Sequence, residues 1–223
     1  MTLFTDIWCS FAHVAVHRLH TTRRGWAWRT ACGSTTGPSP GAVQQRAESS
    51  PGHGFRGRRR GAHRAGRRLA AVAGGGLEVP SSSMPALEAV QLAKEQGLAA
   101  SERLDLALRR AFWAESRSIG ARAVVVAVAA ETEGVDAEAI AGGLDDGRAR
   151  RIITRDFHCA QEHGVRCSPH LYLSDGSDHA NPGVAARWHG RYGTGFPEVT
   201  ANDPSVYESI LRRAAGLEDP GQK

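Results

Sequence analysis

The 223-residue chain contains four cysteines, Cys9, Cys32, Cys159 and Cys167, and no two stand at Cys-x-x-Cys spacing. That excludes a paired-cysteine zinc site and, in a chain of this length, argues against a disulfide framework. No apolar run approaches the ~18 residues needed to cross a membrane. The N-terminus has no basic stretch leading into an apolar core and cleavage site, because Asp6, Trp8 and Cys9 come at once. A cytoplasmic protein in a reducing compartment, with no membrane partner, is the expectation. Acidic residues are scarce in one region: from Arg18 to Arg68 there are twelve arginines and a single acid, Glu48, a net of +11, so the overall charge of +5 leaves −6 for all other residues. The pI of 9.4 therefore reports one segment and not a basic protein. Large apolar residues are missing from the same region, with only Val43 and Phe55 between Ala31 and Arg68. Such a stretch cannot offset its ordering entropy by burial, and disorder is expected there.

Outside that region the most informative stretch is Asp6-Ile7-Trp8-Cys9-Ser10-Phe11-Ala12-His13. A short β-prone run, Leu3, Phe4 and Ile7 with Thr2 and Thr5, precedes it. Phe11, Ala15, Arg18 and Leu19 after it share one helical face. Cys9 thus sits at a strand-to-helix junction, where unpaired backbone N–H groups and the helix dipole favour a thiolate. The junction predicts a Cys9 pKa below the free value of ~8.5, and the thiolate is the nucleophile. His13, one turn on, would add positive charge near the sulfur when protonated. The alternative is a buried core cysteine, a common fate of that residue.

With Asp6, Trp8, Cys9 and Phe11 in these places, the stretch resembles the active-site segment of the DsbA-like thioredoxin-fold family. That family includes disulfide oxidoreductases, 2-hydroxychromene-2-carboxylate isomerases and kappa-class glutathione transferases. Its oxidoreductases carry Cys-Pro-x-Cys here, and this chain departs twice: Ser10 replaces the proline and Ala12 the second cysteine. Without a resolving thiol in the motif, a dithiol cycle within it is excluded. One-cysteine chemistry remains: a mixed disulfide with a small thiol or a client protein, or thiol-assisted isomerisation or transfer.

A second piece of the resemblance is Val165-Arg166-Cys167-Ser168-Pro169-His170-Leu171-Tyr172-Leu173. The family places a cis-proline opposite the active cysteine, before a central strand, and Pro169 is the candidate. The resemblance then implies that backbone beside Ser168 pairs with an extended substrate next to Cys9. Cys167, one step further from the proline, is expected to point away from Cys9.

The resemblance also sharpens the reading of residues 26–76. In the family this length supplies the second strand and the start of a helical insertion, but here the pattern is replaced by Arg, Gly, Ala, Ser and Pro. Three readings stand: a frame-altered segment bounded by compensating changes near Gly25 and Gly76, as GC-rich DNA read out of frame would give; a flexible arginine-rich insertion; and nucleic-acid binding through the 56–68 arginine cluster. Trp26, Ala27 and Trp28 are candidates for part of a second strand. The coding DNA separates the first reading from the others: alternative frames without an apolar, family-like segment would remove it.

From Leu77 the chain is well patterned. Ser83 is the expected N-cap of a helix ending at Gly97, and Ser101 the expected start of the next, with Leu104, Leu108, Ala111 and Phe112 as its apolar stripe. Phe112 and Trp113 are candidates for a substrate-site wall. Residues 121–131 read as a buried helix, Asp136 caps a short helix closed by Gly142-Gly143, and Asp145 opens a longer one ending at Gly164. A hairpin follows Pro169, residues 186–200 read as loop, and Asp203-Pro204 opens a last helix. His158 and His163 have no ligand grouping around them, so no metal site is expected.

The expectation is an α/β protein: a thioredoxin-like domain with an inserted helical subdomain. Its first part would be 1–25, the basic low-complexity segment 26–76, the helical insertion 77–143, the second part of the domain 144–215, and a tail 216–223. The site would consist of Cys9 and His13 as catalytic residues, with Ser10, Phe11, Ser168 and Pro169 binding substrate. The resemblance implies thiol oxidoreductase chemistry or, alternatively, an isomerase or transferase in which Ser10 or Cys9 faces the sulfur of glutathione or another low-molecular-weight thiol. No bound cofactor is expected. The expected partner is a small-molecule thiol or a protein thiol, with a homodimer as the oligomer to test and nucleic acid not expected.

Overall fold

The computed structural model describes residues 1–30, 44–47, 82–191 and 195–217. The 56–68 arginine cluster, Cys32 and most of the basic segment lie outside the described residues. Strand β1 (Thr2–Thr5) leads into helix α1 (Ser10–Thr30). α1 includes residues 26–28, so the expectation of strand there is corrected: the helix continues from the Val16–Leu19 turns through Gly25. The second strand is instead β2 (Gln44–Ala47), parallel to β1 with Leu3 opposite Gln45.

Four helices pack beyond it: α2 (Met84–Ala93), α3 (Leu98–Trp113), α4 (Arg122–Glu131) and α5 (Ala137–Asp146). α6 (Arg148–Glu162) leads back to the sheet. β3 (His170–Tyr172) pairs antiparallel with β1 and with β4 (Asp178–Ala180), giving the order β2-β1-β3-β4. β5 (Val184–His189) and β6 (Phe196–Asn202) form a separate two-stranded antiparallel sheet, and α7 (Val206–Ala214) ends the described chain.

Two clusters form the core. Leu3 of β1 and Leu171 of β3, both fully buried, pack with Ala15, Val16 and Leu19 of α1 and Tyr207, Ile210 and Leu211 of α7. The helical cluster joins α2 through α6 around Leu92, Leu104, Leu108, Val128, Ile140 and Ile153, and Ile7 reaches into it. Each fully buried Leu or Ile contributes roughly 1.5–3 kcal/mol relative to exposure. Because Ile7 joins the helical cluster while Leu3 joins the other, the stretch between β1 and Cys9 is anchored on both sides.

Several local readings change for identifiable reasons. The valine run of α4 is helical but presents one buried stripe, Val125, Val128 and Ala129, rather than burying all round. Gly143 does not end α5: a Cβ there would lie 2.3 Å from the Leu92 side chain, so this glycine permits close packing against α2. Termination falls to Gly147, which adopts φ 68° before α6 begins. Asp136 does cap α5, accepting the N–H groups of Glu138 and Ala139. α3 starts at Leu98 rather than Ser101, whose hydroxyl donates to the Val90 carbonyl and ties α3 to α2 (3.0 Å). Residues 186–200 contain strand where loop was expected, with a register irregularity at Ala185/Ala186. The turn into β5 needs Gly183: at φ 69° a Cβ would sit 2.1 Å from the Asp203 carbonyl oxygen. The Tyr207 hydroxyl donates to the Pro182 carbonyl beside it (2.9 Å).

Candidate active site

Antiparallel pairing sets Phe4 opposite His170, so the chain leaving β1 and the loop entering β3 meet at one end of the sheet. Cys9 immediately precedes α1, and its carbonyl accepts the His13 N–H (2.9 Å), the first bond of the helix. The Ser168–Pro169 peptide bond is cis, as the resemblance implied. Two hydrogen bonds join the segments: the Asp6 N–H donates to Ser168 Oγ (2.9 Å), and the Cys9 thiol donates to the Ser168 carbonyl (2.9 Å). Cys9, Ser168 and Pro169, over 150 residues apart in sequence, therefore share one place. Ser10 and Phe11, half-buried, follow Cys9 in the first turn of α1, and Ala12 is fully buried.

The electrostatics differ from the expectation for a helix start. Burial pushes the Cys9 thiol up, and the N–H groups of Ala12 and Phe11 and a hydrogen bond from Ser168 oppose this only in part, while the nearby Asp6 carboxylate adds to the rise. The predicted fall is corrected: desolvation of the charged form outweighs the helix-terminal groups. His13 also behaves otherwise than expected. Burial first, then Arg109 and His17, lower it to about 4, so it is neutral at pH 7 and adds no positive charge to the sulfur. Its Nδ1 is buried without a hydrogen-bond partner among the described residues, and its ring lies 5.8 Å from that of Trp113. Cys167 turns elsewhere, its thiol donating to the Pro169 carbonyl (3.4 Å).

A buried network under Cys9 was not read from the sequence. Asp6 is 7% exposed, and its carboxylate accepts the Trp8 N–H (3.2 Å) and the Ser83 hydroxyl (3.1 Å). Burial raises its pKa against these two bonds and Arg109. Ser83 is thus spent on Asp6 instead of capping α2 with its side chain; the Ser82 hydroxyl accepts the Met84 N–H in its place (3.1 Å). From α3, Arg109 donates to the carbonyls of Asp6 (3.1 Å) and Ile7 (3.4 Å), to the Thr5 hydroxyl (3.0 Å) and to Asp105 (2.8 Å). Trp113 Nε1 donates to the Ile7 carbonyl (3.0 Å). Asp105, Arg109 and Trp113 recur every four residues along α3, a spacing that places them on one face and could have flagged them. Phe112 packs edge-on to Trp113, so Trp113 supports the backbone before Cys9, and Phe112 backs it.

Elsewhere, a cleft of about 630 Å³ between α2 and α6, lined by Gln91, Glu95, Arg155, Asp156 and Cys159 among others, contains none of the residues around Cys9. Among the described residues, no group of three or more His, Cys, Asp or Glu is arranged to hold a metal ion, and no helix is long and apolar enough to cross a membrane.

No curated protein matches the chain. Among solved structures it is similar to the cytosolic disulfide reductase DsbM from Pseudomonas aeruginosa, with 18% identity, a TM-score of 0.48, and 96% of this chain and 98% of that one covered. The model of the DSBA-like thioredoxin domain matches residues 1–190. That span takes in β1 with Cys9, the helical insertion and the cis-proline loop before β3. The α/β thioredoxin-like architecture with inserted helices is therefore that of a known family, and the chain belongs to the DSBA-like thioredoxin domain family.

Proposed function

We propose that the protein performs thiol–disulfide exchange through a single nucleophilic cysteine, Cys9, forming mixed disulfides with a small thiol such as glutathione or with a protein thiol in the cytoplasm. The observation that carries this is the placement of the Cys9 sulfur at the start of α1, 2.9 Å from the Ser168 carbonyl beside cis-Pro169, with Ala12 where a second thiol would be needed. Family membership supports thiol redox chemistry in general.

In the forward step Cys9 gives up its proton to solvent, and the thiolate attacks one sulfur of a disulfide R–S–S–R′. A Cys9–S–S–R bond forms, the S–S bond breaks and R′–S⁻ leaves, to be protonated. A second small thiolate then attacks the R-group sulfur, releasing Cys9 and a new disulfide. Electrons are conserved across the two exchanges. An extended substrate would take over the Ser168 carbonyl from the Cys9 thiol, and Pro169, Ser10 and Phe11 would border it. His13, neutral at pH 7, would shape the wall rather than tune the thiolate.

Intact-mass measurement after incubation with oxidised glutathione tests the proposal. One glutathionyl adduct mapping to Cys9, removed by reduced thiol and lost in Cys9→Ser, is expected. Adducts confined to Cys159 or Cys167 would sink it. The missing second thiol also suits a glutathione-dependent isomerase or transferase, in which Ser10 or Cys9 faces the cofactor sulfur. The isomerase would require glutathione and leave it unconsumed.

A further inference from the structure

His170 follows the cis-proline and is 1% exposed, yet it serves neither as an acid nor as a ligand in the proposed exchange. Its two ring nitrogens are both engaged. Nδ1 lies 3.3 Å from the Arg166 N–H, which donates to it, so Nδ1 is the acceptor nitrogen. Nε2 then carries the hydrogen and points it at Asp178 Oδ1 on β4, 3.2 Å away. The Asp178 carboxylate is held below its usual range, with His170 the main cause. The ring packs on Tyr172 at 4.6 Å between centroids.

The side chain of residue 170 thus reaches back to the backbone of residue 166 and closes a small ring around Cys167, Ser168 and Pro169. The Pro169 carbonyl on the same loop accepts the Asn181 N–H (3.0 Å), so the loop is tied to β4 and to the turn after it. Within that ring sits Ser168, whose hydroxyl and carbonyl receive the Asp6 N–H and the Cys9 thiol. We infer that His170 is a positioning residue that fixes the Ser168 carbonyl over Cys9 by accepting the Arg166 amide, with Asp178 holding the ring in the tautomer that can accept it. The inference rests on the reading of Cys9 as the reactive thiol.

Asparagine and glutamine separate the two bonds of the imidazole. The terminal amide of Asn reaches the position of Nδ1 and can accept from Arg166, whereas that of Gln reaches the position of Nε2 and can donate to Asp178. Released from the Arg166 amide, the loop admits water to Cys9 and relieves the burial that raises it. In His170→Gln and His170→Ala the pH profile of Cys9 alkylation should therefore move to lower pH, with alkylation at pH 7 several-fold faster than in the wild type. His170→Asn should keep the wild-type profile. Amide hydrogen exchange of the 166–170 peptide is measured on the same proteins, with protection expected to survive in His170→Asn and to drop in the other two. A merely structural histidine would leave the exchange pattern and the Cys9 profile of all folded variants alike, or have Asn fail as badly as Gln, and either outcome overturns the inference. If Cys9 in the wild type does not react at all, the proposed function falls, while the exchange pattern still decides whether His170 holds the loop.

Discussion

Arg109→Ala is expected to destabilise the protein by about 3–5 kcal/mol, the cost of removing one partner from a buried ion pair. Arg109 and Asp105 have side chains 1% exposed and meet at 2.8 Å. Alanine at 109 would leave a carboxylate deep in the helical core without its counter-charge. It would also strip donors from the Asp6 and Ile7 carbonyls and the Thr5 hydroxyl. The loss is a factor of roughly 10²–10³ or more in the folding equilibrium, a large share of the ~5–15 kcal/mol that holds a domain together. Lysine is not an equivalent replacement, because one ammonium cannot span acceptors that the planar guanidinium reaches together. Replacing both residues with apolar ones of similar size should recover much of the loss, since the isolated charge is then gone. Urea denaturation of Arg109→Ala, Arg109→Lys and the Asp105→Leu/Arg109→Met pair measures all three. A single-variant cost under about 1 kcal/mol would show that the pair is far better solvated than its burial indicates.

This network explains much of what the sequence left unread. Cys9 and Pro169 were legible because each sits in a short motif whose neighbours, Trp8 and Phe11 or Ser168 and Leu171, are local to it. Asp105 and Arg109 share a face of α3 with Trp113, but that spacing alone does not say that the face turns inward onto residues 5–7, which lie about a hundred positions away. Ser83 shows the same limit. A serine before a helix predicts a cap, but the Asp6 carboxylate, 77 positions away, takes its hydroxyl. The β5–β6 hairpin was hidden for another reason: its residues are mostly exposed on both faces, so the alternation that marks a half-buried strand is weak. Residues 26–28 were offered as strand because the family's second strand falls in this length of chain, whereas the helix already running from Ser10 carries them. The thiol was misjudged in the same way, since a helix start can be read locally and burial cannot.

Cys9 is expected to alkylate more slowly at pH 7 in the folded protein than in denaturant. A free thiol with a pKa of ~8.5 is a few per cent thiolate at pH 7, and every further rise of one in pKa cuts that fraction about tenfold. The Cys9 thiol is pushed up chiefly by burial, and its proton is held by the Ser168 carbonyl. The folded-state rate should keep climbing with pH beyond the point where the denatured chain levels off. Poor access alone would lower the rate at every pH without moving that plateau. His13→Leu should leave the plateau where it is, because His13 is neutral through this range, titrating at about 4. The same shift carries a stability consequence. With the folded pKa above the unfolded one, the unfolded chain loses its proton first, so stability is fully present below ~8.5 and declines as the pH rises from there towards the folded pKa. Cys9→Ser should flatten that alkaline decline. A thiol kept protonated in the resting protein becomes a nucleophile only when something displaces the S–H···O bond, and the backbone of an incoming disulfide substrate is suited to do so by competing for the Ser168 carbonyl. Substrate-like peptides that bind beside Pro169 should therefore accelerate Cys9 alkylation at pH 7; a retarding effect at every pH would mean that they merely shield the sulfur.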